Sequence, residues 1–215
     1  MSARRKKKLT PAALGLRATR GGSVVVAVAL NRDEPHVVLS SFIATGRKDD
    51  RLSFEPYHVA AEMKRAPGGG ASAEAVAAVA QGRKLQNKLA AKGIDDVVAS
   101  LKEKQCEPVL AALLINRAGW VTDLLAYSLA FPDHPPVAEG LAVRDALRAG
   151  LKRAGIEIAE VDEKSLPDLA AEVLAHESVS LDARLKALGQ TAGKPWRKEQ
   201  KLACLAAWVQ LAKVG

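Results

Sequence analysis

Two adjacent acids, Asp162 and Glu163, are the side chains of this sequence best placed to do chemistry. They follow a short β-branched stretch, residues 156–161, that predicts a strand. Ligands of open α/β sheets bind outside the carboxyl ends of strands, and hard cations such as Mg²⁺ prefer oxygen ligands. An acidic pair is also what the polar exit of an ordinary strand carries, so a catalytic and a purely structural interpretation both stay open.

Other acids could supply replacement ligands, but each has a simpler interpretation. Two pairs lie in predicted loops and match the residue preferences of turns. Three further acids lie on or near predicted helices, where a solvated charged face explains them. The set comprises Asp33, Glu34, Asp49, Asp50, Asp123, Glu139 and Asp145.

The amino-terminal segment is strongly basic. Residues 1–8 supply +5 of the net charge of +8 and leave only +3 for the rest of the chain. Like charges repel and bury no apolar surface, so we expect a disordered basic tail over residues 1–12, followed by a single domain over 13–215. The tail is either an arm for the phosphates of RNA or DNA or a solubilising terminus. Its cations are Arg4, Arg5, Lys6, Lys7 and Lys8.

Several chemistries lack their motifs. The four histidines have neither HxxxH nor HExxH spacing and no cysteine cluster, so we expect no zinc site. Residues 68–70 are a glycine run without the Gly-Lys-Ser/Thr ending of a phosphate loop, and no GxSxG occurs. We therefore expect no cofactor, with Mg²⁺ or Mn²⁺ required only if the protein is a nuclease.

Composition places the chain among ordinary soluble proteins. Of its 215 residues, 48% are hydrophobic and 26% are charged, and no apolar run approaches the ~18 residues that span a membrane. No apolar segment follows the basic start, so we expect no secretory signal and a cytoplasmic location. We interpret Cys106 and Cys204 as buried apolar groups.

The hydrophobic pattern predicts three consecutive strands and then alternating helices and strands. The first three strands, joined by short turns, form an antiparallel meander, and each helix-linked crossover adds a parallel neighbour. The fold class is therefore α/β, a mixed sheet with helices on both faces. The predicted strands are 14–19, 23–30, 36–45, 108–116 and 156–161, and the predicted helices are 72–92, 94–101, 119–131, 137–154, 165–175, 181–188 and 196–213.

This order is the layout of the ribonuclease H-like superfamily, and local residues resemble its YqgF-like family. That family comprises bacterial proteins related to Holliday-junction resolvases and implicated in ribosomal RNA precursor processing. Leu14-Gly15-Leu16 before a glycine turn is similar to the family's opening strand. The helix starting near Glu139-Gly140, the next strand and Asp162-Glu163-Lys164 resemble its helix, strand and Asp-Glu-Arg segment, and residues 202–207 resemble its final helix. The resemblance leaves out residues 47–105.

The departures from the family pattern imply a degenerate site. Nucleases of the superfamily gather carboxylates around divalent ions that activate water. The family has an Asp after Leu-Gly-Leu, where this sequence has Arg17, and an Asp in the final helix, where Ala203 stands. At ~4 Å and an effective dielectric constant of ~20, a guanidinium would repel a dication by about 8 kcal/mol. Asp162 and Glu163 alone remain of the acidic set.

Arg17 has two interpretations of its own. A guanidinium can bind a phosphate through two hydrogen bonds without a metal, with Lys164 nearby. Arg17 can equally form a salt bridge with Asp162 that closes the cleft. Trp196 either stacks a base or anchors the last helix. Further cations near the chain breaks are Arg20, Lys194, Arg197, Lys198 and Lys201.

The sequence therefore predicts a catalytically degenerate ribonuclease H-like domain that binds nucleic acid without cleaving it. The expected contacts are the basic tail, Arg17 and Lys164. One alternative is a metal-dependent nuclease with relocated carboxylates, in which Asp162 and Glu163 are catalytic. The other is a scaffold for a protein partner or a homodimer.

Overall fold

The computed structural model describes residues 8–116, 120–131, 133–174 and 178–214. Over these residues the chain forms five strands and eight helices in an α/β arrangement. The strands are β1 (Thr10–Thr19), β2 (Gly22–Asn31), β3 (Glu34–Ala44), β4 (Cys106–Ile115) and β5 (Glu157–Asp162). The helices are α1 (Arg51–Phe54), α2 (Pro56–Glu62), α3 (Ala73–Glu103), α4 (Leu124–Ala130), α5 (Pro135–Arg153), α6 (Leu166–Leu174), α7 (Ser178–Ala192) and α8 (Lys198–Ala212).

The five strands form one mixed sheet in the order β3-β2-β1-β4-β5. Strands β1, β2 and β3 are an antiparallel meander, and β1, β4 and β5 run parallel to one another. β1 and β2 are central and buried on both faces, which explains their continuous apolar runs. The predicted mixed sheet is confirmed.

Helices cover both faces of the sheet. α8, with α6 and α7, packs on one face through a core that includes Ala13, Val24 and Val161. α3 and α5 pack on the other face, against Leu14 and Leu16. Because β1 alternates its side chains between these two layers, residues of one strand take part in two separate cores. Cys106 and Cys204 are both buried and free, as expected.

The two helices predicted around Gly93 are one continuous helix, α3. Its buried residues keep a spacing of three or four from Ala75 to Leu101, so a single face packs throughout. A Cβ at position 93 would lie 2.7 Å from Ile43 Cγ2 of β3, so Gly93 permits close packing rather than ending the helix.

The segment around residues 47–62 differs from expectation. The sequence predicts no helix between residues 45 and 72, but α1 begins at Arg51 and α2 follows it after one residue. These helices pack on α3 at Gly82, where a Cβ would lie 2.5 Å from Leu52 O. β1 begins at Thr10, so residues 10–12 of the predicted tail belong to the sheet, whereas residues 1–7 lie outside the described residues. In the described residues, no helix is both long and apolar enough to cross a bilayer.

Candidate functional site at the carboxyl edge of the sheet

The register of three parallel strands brings Arg17 and Glu163 together. Arg17 of β1 lies opposite Leu114 of β4, and Leu114 lies opposite Val161 of β5. Side chains alternate along a strand, so Glu163, two residues after Val161, lies on the same face as Arg17. By the same alternation Asp162 belongs to the opposite face.

Arg17 and Glu163 form an ion pair with two hydrogen bonds. Arg17 Nε donates to Glu163 Oε2 and Nη2 donates to Oε1, both at 3.0 Å. The two side chains are 22% and 28% exposed, so solvent screens their attraction only in part. Arg17 therefore pairs with Glu163, so the salt-bridge interpretation of Arg17 named the wrong one of the two adjacent acids. The Asp162 carboxylate accepts a hydrogen bond from the Lys164 backbone N–H at 2.7 Å.

Glu199 of α8 brings a second carboxylate to Arg17, with Oε1 3.7 Å from Nη1. A Cβ at Gly15 would lie 1.7 Å from Ala203 O, so α8 and β1 meet backbone against backbone. Ala203 is fully buried at this contact. Glu199, one helical turn earlier, lies on the same helix face and reaches the strand edge. The family resemblance singled out only Ala203 in the final helix. Glu199 lies four residues earlier, and this helical spacing was the signal in the sequence that could have identified it.

Arg144 of α5 lies near the same edge and was also missed. Its Nη1 donates to Asn116 Oδ1 at 3.0 Å, just beyond β4. Its Nε is buried and has no hydrogen-bond partner among the described residues. Burial lowers the pKa of the Arg144 guanidinium, and Arg148 lowers it further while Glu163 opposes the shift. The edge thus combines two guanidinium groups with two carboxylates.

The donor set at this edge does not fit the divalent metal that the family resemblance implies. Both oxygens of Glu163 accept hydrogen bonds from Arg17, and an oxygen of Glu199 faces the same guanidinium. A dication would have to displace a fixed cation before it reached these ligands. Over the part of the chain that the structure describes, no three His, Cys, Asp or Glu side chains are grouped closely enough to hold a metal.

Most of the alternative acids have structural roles in turns, helix caps or ion pairs. Asp33 lies in a turn with a φ of 70°, and Glu34 pairs with Arg184. The partners of the others are all local or on a neighbouring helix. Asp49 pairs with Arg47, Asp50 caps α1, Asp123 caps α4 through the Ala126 backbone N–H, and Asp145 pairs with Arg83 and Arg148.

Glu139 is the acid whose environment is most unusual. It is 3% exposed, and its Oε1 accepts the backbone N–H groups of Tyr57 and His58 at 2.8 and 3.0 Å. Its Oε2 is buried without a hydrogen-bond partner in the described structure. Burial raises the pKa of Glu139 to about 7, against the opposing effect of the two backbone hydrogen bonds. This carboxyl packs beside α2, among the helices of the α3 and α5 layer.

The predicted basic residues are dispersed. Arg4, Arg5, Lys6 and Lys7 lie outside the described residues, while Lys8 and Lys164 are exposed. Arg20 pairs with Glu55 and stacks over the Phe54 ring. The remaining cations surround two cavities beside α7 and α8. They are Lys194, Arg197, Lys198 and Lys201.

Trp196 anchors the start of the last helix. Its Nε1 donates to Leu185 O of α7 at 2.9 Å. A Cβ at Gly189 would lie 2.2 Å from the ring, so the indole packs flush on the α7 backbone. The anchoring interpretation of Trp196 is confirmed.

Comparison with known proteins identifies the fold. No protein-family model and no curated protein matches the sequence. Thermus thermophilus RuvC, solved in complex with a Holliday junction substrate, is similar with a TM-score of 0.52 at 10% identity over 94% of each chain. A second Thermus thermophilus RuvC structure gives 0.51 at 10% identity, over 94% of this chain and 95% of that one.

A mitochondrial Holliday junction resolvase from yeast, Ydc2, gives a TM-score of 0.43 at 14% identity, over 98% of this chain and 83% of the other. The two RuvC structures match this chain over nearly their full length. The chain therefore has the resolvase-like ribonuclease H fold that its sequence resemblance implied.

Proposed function

We propose that this protein is a ribonuclease H-like domain that binds nucleic acid and does not cleave it by metal-dependent hydrolysis. The observation that carries the proposal is the double hydrogen bond between Arg17 and Glu163 at the carboxyl edge of the sheet. The guanidinium stands where the family pattern has an acid, and it engages the oxygens of the adjacent acid. Catalysis would need those oxygens on a cation instead.

The fold and the charge distribution support a nucleic-acid ligand. Thermus thermophilus RuvC was solved with a Holliday junction substrate, and it shares this fold. The chain has a net charge of +8, with five cations in its first eight residues. Clustered cations bind phosphates by releasing counterions, which makes affinity depend steeply on salt.

The two candidate contact regions lie at opposite ends of β1. The basic segment precedes Thr10, whereas Arg17 and Lys164 lie at the carboxyl edge. A strand rises ~3.3 Å per residue, so about 23 Å separates Thr10 from Arg17. Because Arg17 is held by Glu163, the exposed Lys164 is the better phosphate contact at that edge. The two regions should contribute independently to binding.

The test is an anisotropy titration of a four-way DNA junction, duplex DNA and structured RNA against the parent, a deletion of residues 2–8, and Lys164→Glu. We expect the deletion to make the slope of log K against log salt less steep by about 4.5 on duplex DNA. Lys164→Glu should weaken binding further in the deleted protein. Lys88→Glu, a reversal of an exposed lysine on α3, is the matched control.

Cleavage of the same substrates in Mg²⁺ or Mn²⁺ is the second measurement. We expect the substrates to stay intact. Cleavage that Asp162→Asn abolishes would establish the nuclease alternative instead. Unchanged affinity and salt slope after the deletion would remove the basic segment from the proposal.

A further inference from the structure

A cavity of about 520 Å³ lies between α6, α7 and the start of α8, apart from the ion pairs of the sheet edge. Most of its lining residues are apolar. The indole of Trp196, fixed on α7, forms one rigid wall. The apolar residues of the lining are Pro167, Leu181, Leu185, Trp196, Leu202 and Leu205.

A second cavity of about 700 Å³ adjoins the first and shares Trp196 and Arg197 with it. Five cations line the two cavities, against one acid, Asp182. In the part of the chain that the structure describes, none of the five forms an ion pair with a carboxylate. The cations are Lys186, Lys194, Arg197, Lys198 and Lys201.

This combination of an apolar floor and unpaired cations defines the chemistry of a ligand. An apolar side chain that fills the first cavity loses no hydrogen bonds to water. A nucleobase would bury polar edges there, and among the described lining residues only Asp182 offers a side-chain acceptor, while the Trp196 N–H already donates to Leu185 O. Unsatisfied polar edges are costly, so the floor favours a hydrocarbon group over a base.

We propose that this surface is a docking site for a short acidic segment of a protein partner. One large apolar side chain of the segment fills the cavity between α6, α7 and α8. Its flanking carboxylates lie over the five cations that line the two cavities. The charges are complementary, and the Trp196 wall is held in place before binding, which lowers the cost of ordering the site. The site does not depend on the proposed binding of nucleic acid.

The probe is a short fluorescent peptide of Asp and Glu residues around one Phe, titrated against the full chain. We expect saturable binding that weakens with salt. Replacing the Phe by Ala, or the acids by Lys, should each weaken binding about tenfold or more, because the apolar anchor and the charges both contribute. Absence of binding up to about 1 mM peptide overturns the proposal.

Variants of the protein locate the site. The double change Lys198→Glu with Lys201→Glu should weaken peptide binding about tenfold or more. Lys84→Glu with Lys88→Glu makes the same charge change on α3, on the other face of the sheet, and should leave affinity within about twofold. Both pairs are checked for folding by circular dichroism.

Two outcomes overturn the assignment. Equal loss of peptide affinity in both double variants would show a nonspecific charge effect. Displacement of the peptide by duplex DNA, with DNA affinity lost in the Lys198 and Lys201 variant, would assign the surface to nucleic acid.

Discussion

Two glutamates at opposite faces of one sheet show how differently a fold can treat a carboxylate. Glu163, on the α8 face, is partly exposed and neutralised by Arg17 through two hydrogen bonds. Glu139, in the α5 layer, is almost fully buried and accepts only backbone N–H groups through one oxygen. Arg17 compensates the charge of Glu163, whereas no cation of the described residues forms a hydrogen bond with Glu139.

The difference explains why burial raises the pKa of Glu139. Desolvation raises the pKa of a carboxyl unless an opposite charge compensates it. Glu139 has no cation in hydrogen-bond contact in the described structure, and its pKa rises to about 7. The family resemblance points to the acids around Arg17. The acid whose pKa rises to about 7, however, is Glu139 in the α3 and α5 layer on the other face of the sheet. Resemblance locates a site, whereas burial and pairing decide its chemistry.

The largest effect should come from forcing α8 away from β1. In Gly15→Ala the new Cβ would lie 1.7 Å from Ala203 O, a backbone atom that cannot move without the helix. We expect a loss of about 3 kcal/mol in the free energy of unfolding, measured by urea denaturation. The substitution should also disturb the ion pairs around Glu163, because the contact between β1 and α8 positions Arg17 and Glu199.

Gly140→Ala on α5 is the matched control. A Cβ there meets no atom within 4 Å, and alanine favours a helix over glycine by about 1 kcal/mol. This variant should be equal to or more stable than the parent. Equal destabilisation by both substitutions would contradict the close approach of α8 to β1.

The second prediction concerns the pH dependence that Glu139 imposes. Its folded pKa of about 7 lies above the usual 4.5, so the folded state binds this proton more tightly than the unfolded state. The stability that protonated Glu139 contributes is fully present below pH 4.5. It is lost as pH rises through about 7, and the free energy of unfolding falls by about 3 kcal/mol in total. Glu139→Gln should remove this fall, because an amide keeps the acceptor oxygen without a charge.

Urea denaturation between pH 5 and pH 8 measures the effect. The parent should lose stability with rising pH relative to Glu139→Gln, and the two should differ most above pH 7. Glu107→Gln changes an exposed acid of β4 and should follow the parent. Parallel curves for the parent and Glu139→Gln would show that Glu139 is already charged at pH 5.

The central strands could be predicted because a strand buried on both faces is rich in apolar and β-branched residues. β2 is buried on both faces and is a valine-rich run, whereas β5, in which only Val161 is buried, was indicated by its β-branched residues. α1 and α2 were missed since each is short and depends on tertiary contacts, such as the approach of Leu52 O to Gly82. Such contacts leave no periodicity in the sequence.

The sequence indicated which strands and helices carry the site, but not which side chains meet there. The acids after β5 and the departure at Arg17 were visible in the sequence. The choice of Glu163 over Asp162 depends on strand alternation across β4, and Glu199 depends on the approach of α8. These are relations between distant segments, which one sequence specifies only through the folded register.

Replacing Arg17 by an acid tests directly whether its guanidinium keeps a divalent metal away from Glu163 and Glu199. Arg17→Asp would place a third carboxylate beside Glu163 and Glu199, and loss of the charged hydrogen bonds should lower stability by about 2 kcal/mol. Mn²⁺ should restore part of this loss in the variant, because three carboxylates now attract a hard cation. The parent should gain nothing.

Thermal denaturation with and without Mn²⁺ measures this difference, and Arg17→Asn separates loss of the guanidinium from gain of the acid. A parent melting temperature that rises with Mn²⁺ as much as that of Arg17→Asp would contradict the misfit of the donor set. It would also make a metal-dependent nuclease the better proposal.

The smallest effect distinguishes the two carboxylates that share Arg17. Glu163 accepts two hydrogen bonds at 3.0 Å, whereas Glu199 approaches to 3.7 Å, beyond hydrogen-bond length, and is more exposed. Glu163→Gln should cost about 1 kcal/mol in the free energy of unfolding, and Glu199→Gln about 0.3 kcal/mol. Adding 1 M salt should reduce the cost of Glu199→Gln more than that of Glu163→Gln. The attraction between Glu199 and Arg17 is one that salt screens, whereas Glu163 forms directed hydrogen bonds. Equal costs at low salt would mean that Arg17 is shared evenly, and that its guanidinium is less firmly committed to Glu163 than the two hydrogen bonds indicate.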